Sequence, residues 1–239
     1  MIYLDNAATS FHKPDCVPRA VVEAMQHAGN SGRGSSGEAM AASRLIFNTR
    51  CQIAEMFDVW GPECVAFTSN DTEALNIALQ GTLHPEEGTI HAICTEMDHN
   101  SVLRPLYRLE KNGMKLTILR ADRKGRISLT ELEAAIRPET KVIVRTHASN
   151  LTGNLNDIHA IGAIAQKHQK LFIVDAAQTA GLFPISMKKD HIDILCFSGH
   201  KGLMGPQGTG AICVRPGVAV EPLKVGGSGV LTFQREHPQ

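Results

Sequence analysis

Seven short apolar runs punctuate this chain, and stretches with helical spacing separate most of them. The runs are Val65–Thr68, Ile90–Thr95, Leu116–Leu119, Val142–Thr146, Phe172–Asp175, Ile192–Ser198 and Gly210–Val214. Helical patterns lie around Val17–Ala28, Ala42–Phe57, Thr72–Gln80, Asn100–Lys111, Leu129–Ile136 and Asp157–His168. The last has an N-cap candidate at Asn156 and apolar residues at Ile158, Ile161, Ile164 and Ala165. Strands that alternate with helices predict an α/β fold, a mostly parallel central sheet buried on both faces and flanked by helices. A chain of 239 residues can bury one large core or two modest ones.

In open α/β sheets, ligands gather beyond the carboxyl ends of the strands. Polar clusters stand at five such ends: Thr68-Ser69, Thr95 to His99, Thr146 to Asn150, Asp175 to Gln178 and Ser198 to Lys201. Packing does not account for them. Asp175 and Lys201 end two different runs and suit one cofactor, pyridoxal phosphate (PLP). A lysine forms a Schiff base with its aldehyde, and a carboxylate keeps its pyridine nitrogen protonated so that the ring accepts carbanion electrons. A lone lysine usually reads as a solvated surface charge. Lys201, however, follows a buried-type strand and precedes the glycine-rich stretch 202–210, whose glycines permit close backbone approach to a ligand.

The neighbouring residues each carry two readings. Asp175 is either a partner of the pyridine nitrogen or an ordinary N-cap for Ala176–Thr179. Gln178, three residues on, is placed to donate to the cofactor's phenolic oxygen. Ser69-Asn70-Asp71-Thr72-Glu73 opens a helix whose free N–H groups form an anion seat, with the Thr72 hydroxyl beside them; the same residues also read as a plain cap. His99 either stacks flat on a ring or serves structurally at a helix start.

Several function classes are disfavoured. Lys plus Arg and Asp plus Glu balance at 24 each, which offers no electrostatic case for nucleic acid or an anionic membrane. No apolar run approaches the ~18 residues of a membrane span. The start, Met1 to Asn6, lacks the basic region of a signal peptide and enters a strand-like run. The six cysteines are scattered with no Cys-x-x-Cys, which predicts reduced, mostly buried thiols in a cytoplasmic protein and neither a disulfide frame nor a metal site. Asp98 and His99 have no matching ligand spacing nearby. Gly32-Arg33-Gly34-Ser35-Ser36-Gly37 matches G-x-G-x-x-G but follows a helix, so a dinucleotide site is rejected in favour of a loop near the site entrance.

Taken together, several motifs in order resemble the class V aminotransferase superfamily of fold-type I PLP enzymes, in its cysteine desulfurase branch. They are Leu4-Asp5-Asn6-Ala7-Ala8, Thr72-Glu73-Ala74-Leu75-Asn76, His99-Asn100-Ser101-Val102-Leu103, His147-Ala148-Ser149-Asn150, Val174-Asp175-Ala176-Ala177-Gln178, Ser198-Gly199-His200-Lys201 and Gly205-Pro206-x-Gly208-x-Gly210. The resemblance runs from Tyr3 to Gly227. It implies that Lys201 binds the cofactor aldehyde and shuttles the Cα proton, and that His99 stacks on the ring and takes part in acid–base steps. It implies that Asp175 pairs with the pyridine nitrogen. Gln178 and Asn150 would contact the phenolic oxygen and the substrate side. Thr72, the Asp71 N–H, Ser198 and His200 would hold the phosphate, and Ala7 and Ala8 would line the substrate pocket. The implied reaction converts L-cysteine to L-alanine and leaves a persulfide on the enzyme. The implied assembly is a homodimer, with a sulfur-acceptor protein as a further partner. Other class V chemistries, a selenocysteine lyase or an aminotransferase, and a non-catalytic remnant are the alternatives.

The expected organisation is a segment 1–15 lining the active site and a PLP-binding large domain over 16–239. The C-terminal small domain, with the family's catalytic cysteine and carboxylate-binding arginine, is expected to be absent. None of the six cysteines matches the catalytic one. Asp71 also departs from the family, which has a small or neutral residue there. Beside a phosphate its carboxylate would be repelled unless the side chain turns away to cap the helix, and replacing it with alanine would then tighten cofactor binding.

Overall fold

The computed structural model describes residues 2–32 and 34–227, so the expectations for Arg33 and for the tail 228–239 lie outside the described residues. The order is α1 (Cys16–His27), α2 (Gly37–Met56), β1 (Val65–Thr68), α3 (Asp71–Gln80), β2 (His91–Thr95), α4 (Asn100–Lys111), β3 (Lys115–Leu119), α5 (Leu129–Ala134), β4 (Thr140–Thr146), α6 (Ile158–Lys167), β5 (Leu171–Asp175), β6 (Ile194–Ser198) and β7 (Gly210–Val214). The strands form one sheet in the order β1-β7-β6-β5-β4-β2-β3. Pairings from β3 through β6 are parallel, while β7 runs antiparallel to both β6 and β1. β1 therefore points the same way as β6, and its carboxyl end joins those of β2, β4, β5 and β6 on one edge.

Both sheet faces are covered, as the near-continuous apolar strands require. On one face α3 and α4 bury Leu75, Leu79, Val102 and Leu106 against Cys94, Val144, Ile173 and Cys196. On the other, the end of α2 with α5 and α6 buries Phe57, Leu132, Ile158 and Ile161 against Ile143, Phe172, Val174 and Phe197. The period of two along each strand separates these sets. It also fixes the parity of the strand ends: Thr146, Asp175 and Ser198 each lie two residues beyond a side chain on the α3–α4 face. That face is where α3 begins.

Three expectations are corrected. The N-cap of α6 is Asp157, whose carboxylate accepts from Ala160 N at 2.9 Å; Asn156 instead accepts from Arg145 and donates to the Thr146 carbonyl. α2 starts at Gly37, five residues before the apolar pattern begins, because the Ser36 hydroxyl caps it by accepting from Ala39 N. Residues 2–5 join no strand; Ile2 and Leu4 are exposed. Among the described residues no helix is long and apolar enough to cross a membrane.

Candidate active site

All fifteen residues around one cavity of about 240 Å³ come from the amino-terminal segment, the caps and first turns of α3 and α4, or the loops and last residues at the carboxyl ends of β4, β5 and β6. Ala8, Asp71, Thr72, His99, Asn150, Asp175, Gln178, Ser198, His200 and Lys201 all line it. Ala7 is not in its lining but accepts from Gln178 Nε2 through its carbonyl at 2.9 Å. Of the residues to which the resemblance assigns a cofactor or substrate role, only Ala7 lies outside the cavity lining. Gln178 ties one N–H of its amide to the amino-terminal segment, and the second N–H is left for the predicted contact with a phenolic oxygen. A larger cleft of about 410 Å³ lies at the opposite, amino ends of the strands, between Trp60, Lys170, Asp193 and Arg215. Its Asp193–Arg215 and Lys188–Asp58 charges are already paired, so the smaller cavity is the candidate site.

Asp175 is buried at the end of β5. Its Oδ1 accepts from Ala177 N at 2.9 Å, and its Oδ2 accepts from the Thr146 hydroxyl at 3.2 Å. The bond to Ala177 is a local turn contact, so the capping reading of Asp175 is partly met without excluding a ligand. Burial pushes its carboxyl up; the Ala177 N–H, the Thr146 hydroxyl and Lys201 oppose that shift, and Asp98 adds to it. Lys201 follows β6 and is half-buried.

At the start of α3, Asn70 is the cap and accepts from Glu73 N at 2.9 Å. Glu73 turns back to accept from Ser69 N and Ser69 Oγ, each at 2.7 Å, and these two bonds, with Lys224, hold its carboxyl down at about 2. The Asp71 N–H donates to Ser198 Oγ at 3.2 Å, which joins the helix terminus to the end of β6. The first residue of β7 makes this approach possible: a Cβ on Gly210 would meet the Asn70 carbonyl carbon and the Phe197 oxygen, each at 2.8 Å. His200 sits beside this terminus. Burial and the neighbouring Lys201 and Lys13 push its imidazole down. Its carbonyl accepts from Ser10 N, and Nδ1 bonds Thr9 Oγ1 at 3.0 Å, so residues 9 and 10 are fastened to the site.

His99 caps α4. Its Nδ1 accepts from Ser101 N at 3.2 Å and lies 2.8 Å from Ser101 Oγ. A backbone donor on Nδ1 leaves the neutral ring's proton on Nε2. His99 thus serves the helix start as its cap, and that bond orients the ring that lines the cavity.

In the stretch 202–210 the glycines bring backbone to backbone: Gly205 N donates to Gly199 O at 2.7 Å, and a Cβ on Gly205 would meet that oxygen at 2.8 Å. The loop folds onto the end of β6 and holds Lys201 in place.

Sequence reasoning missed the layer beneath. Asp98 is buried and accepts from Thr95 N, Thr95 Oγ1 and Thr146 N, and pairs with Arg145 Nη1 at 3.3 Å. Arg145 also donates to Thr95 Oγ1 and, at 2.6 Å, to Asn156. A charged residue inside the apolar run Val142–Thr146 was the available signal. The lining residues Asn70, Ser101, Thr146, Ala148 and Ala177 were within reach by strand parity or by their place in a motif.

This donor set fits PLP. A buried carboxylate with only neutral donors suits a pyridinium N–H, a half-buried lysine suits an aldehyde, and a helix terminus with hydroxyls suits a phosphate. Among the described residues no His, Cys, Asp and Glu cluster is arranged to hold a metal ion. Comparison with known proteins agrees. The family model "Aminotransferase class-V" matches residues 2–237. A cysteine desulfurase IscS of Vibrio atlanticus is 35% identical over 232 residues, and a cysteine desulfurase 2 of Trichormus variabilis is 35% identical over 228. Each alignment covers 95% of this chain and 57% or 56% of the relative, so the chain spans little more than half of their length. Among solved structures, SspA in complex with cysteine superposes with a TM-score of 0.89 at 31% identity, over 95% of this chain and 65% of that one. A NifS-like protein gives 0.88 at 30% identity, over 95% and 62%.

Proposed function

The chain belongs to the class V aminotransferase family, and from that premise we propose that its cavity binds PLP, the family's cofactor, in a cysteine desulfurase-like enzyme acting on L-cysteine. The observation that carries the reading is the convergence of Asp175, Lys201 and the α3 terminus on one cavity. When bound, the cofactor supplies an electron sink for a carbanion at the substrate Cα. Asp175 holds the proton on the ring nitrogen. Lys201 would hold the aldehyde through Nζ, and the same amine would take the substrate Cα proton. His99, fixed through Nδ1, would lie against the cofactor ring and present its Nε2–H to the cavity. The Asp71 N–H, Thr72, Ser198 and His200 hold the phosphate. Ala7, Ala8 and Asn150 shape the substrate side, and residues 1–15 act as a wall of the site against the large domain.

Desulfuration also needs a thiolate to take the sulfur. None of the six cysteines lines the cavity; Cys94, Cys196 and Cys213 are buried, and burial pushes their thiols up, Cys213 to about 12. We propose that these residues supply the cofactor-binding and deprotonating half of the reaction. The expected result is no L-cysteine-dependent alanine release above that of free PLP, and clear release refutes it.

The assembly we propose is a homodimer. Val22, Met25, Leu45 and Phe47 on α1 and α2 are exposed, and a second copy would cover them. A sulfur-acceptor protein is a further partner. Six unpaired cysteines support a cytoplasmic setting.

Borohydride trapping tests the cofactor site. The folded protein is incubated with PLP, reduced and mapped by mass spectrometry. A phosphopyridoxyl adduct on Lys201, lost in Lys201→Ala, is expected. No adduct, or scatter over surface lysines, overturns the reading and leaves a non-catalytic remnant.

A further inference from the structure

Among the described residues that line the cavity, Asp71 is the one with a buried side-chain polar atom left without a partner. It is 5% exposed, lines the cavity, and its Oδ1 has no hydrogen-bond partner among the described residues. It does not cap its own helix, since Asn70 does that. It lines the cavity together with Asp175, close enough for the Asp175 charge to act on it. Two carboxyls so placed have no donor between them unless one carries a proton. The surroundings decide which. Asp175 already receives the Ala177 N–H and the Thr146 hydroxyl, whereas Oδ1 of Asp71 receives nothing.

We propose that Asp71 is a neutral carboxylic acid that donates its proton to Asp175, making it a positioning residue for the group that anchors the pyridine nitrogen. The proposal rests on the PLP reading only for what the pair holds; the shared proton itself belongs to the chain. It replaces the expectation of a phosphate-repelling carboxylate, because a neutral Asp71 repels nothing.

The charges around the pair are consistent with this. β5 contributes Asp175, and β6 contributes the buried Cys196. Lys201 and His200 follow β6, and His99 faces the cavity from the start of α4. Asp98 lies beneath, paired with Arg145 of β4. On α3 itself, Glu73 is engaged with Ser69 and Lys224. Burial and the Asp175 charge push the Asp71 carboxyl well above the usual range, and Lys201 opposes them. A carboxyl raised on folding favours the folded state less as pH climbs from its unfolded value near 3.9 to its folded one, because the unfolded chain releases the proton first.

The test compares the full chain with Asp71→Asn and Asp71→Ala. Asparagine keeps a donor toward Asp175 without titrating; alanine removes it. The infrared difference between the wild-type apo-protein and Asp71→Asn at neutral pH should contain a protonated-carboxyl band. The thermal midpoint of the wild type should fall relative to Asp71→Asn as pH rises from 4 to 8. PLP affinity should drop about tenfold in Asp71→Ala, the scale of one hydrogen bond to a charged group, and return in Asp71→Asn. No carboxyl band, parallel midpoints, or tighter PLP binding by Asp71→Ala overturns the proposal. Trapping at Lys201 separates the two readings: an adduct without the band sinks the shared proton alone, and the band without an adduct sinks the cofactor site alone.

Discussion

His91 shows how one residue sets a pH limit on the fold. It opens β2, is fully buried, and bonds Thr140 Oγ1 at 2.7 Å and Thr117 Oγ1 at 2.8 Å. Burial, with Arg137 next, pushes its imidazole down to about 4. The unfolded chain takes up a proton near 6.5, and the folded one does so only near 4. The stability this supplies is complete above about 6.5 and is lost as pH falls toward 4, up to about 3 kcal/mol. Urea midpoints of wild type and His91→Gln should therefore converge on acidification from pH 7 to 4.5; a constant gap would show that His91 does not titrate this way. At the site, residue type was legible: a carboxylate, an amine and a helix start have few joint uses. What was not legible is whom each side chain touches. Gln178 reaches Ala7 across 171 positions, and Asp71 meets Asp175, because these encounters depend on the assembled sheet edge.

At the scale of elements, close approaches rather than apolar spacing decide several positions. Gly162 in α6 has no room for a side chain, since a Cβ there would collide with the Asp190 carbonyl. Alanine would gain up to about 1 kcal/mol in helix propensity but must displace backbone, at about 1–3 kcal/mol. Gly162→Ala should lower the thermal midpoint; a rise would mean that the 190–191 turn yields freely. Arg145 joins β4 to β2 and to the start of α6 through Asp98, Thr95 and Asn156. Arg145→Ala leaves Asp98 charged and buried, so a loss of about 3–5 kcal/mol is expected in urea unfolding. A loss below about 1 kcal/mol would mean that water reaches the pair. The strand patterns were readable because buried strands are short and apolar. The helix starts at Gly37 and Ile158 were not, because a cap is a single hydrogen bond that several nearby residues could make.

Across the whole molecule, order is unevenly distributed. No residue of α1 is buried, and its neighbour α2 buries only Ala39, Ala42 and Ala54, whereas β5 and β6 are buried almost throughout. Amide exchange should be fastest in α1 and slowest in β4 to β6. Protection of α1 that rises with protein concentration would place a second copy on it, and uniform protection would contradict the unevenness. By itself the sequence determined the α/β class, the existence of each strand, and the residue types at the strand ends. Local periodicity and side-chain chemistry are properties of neighbouring positions. Only the tertiary structure decided the strand order, the antiparallel β7, the Asp98–Arg145 layer and the Asp71–Asp175 encounter. Each joins segments far apart in the chain, and their meeting is set by how the whole sheet buries its two faces.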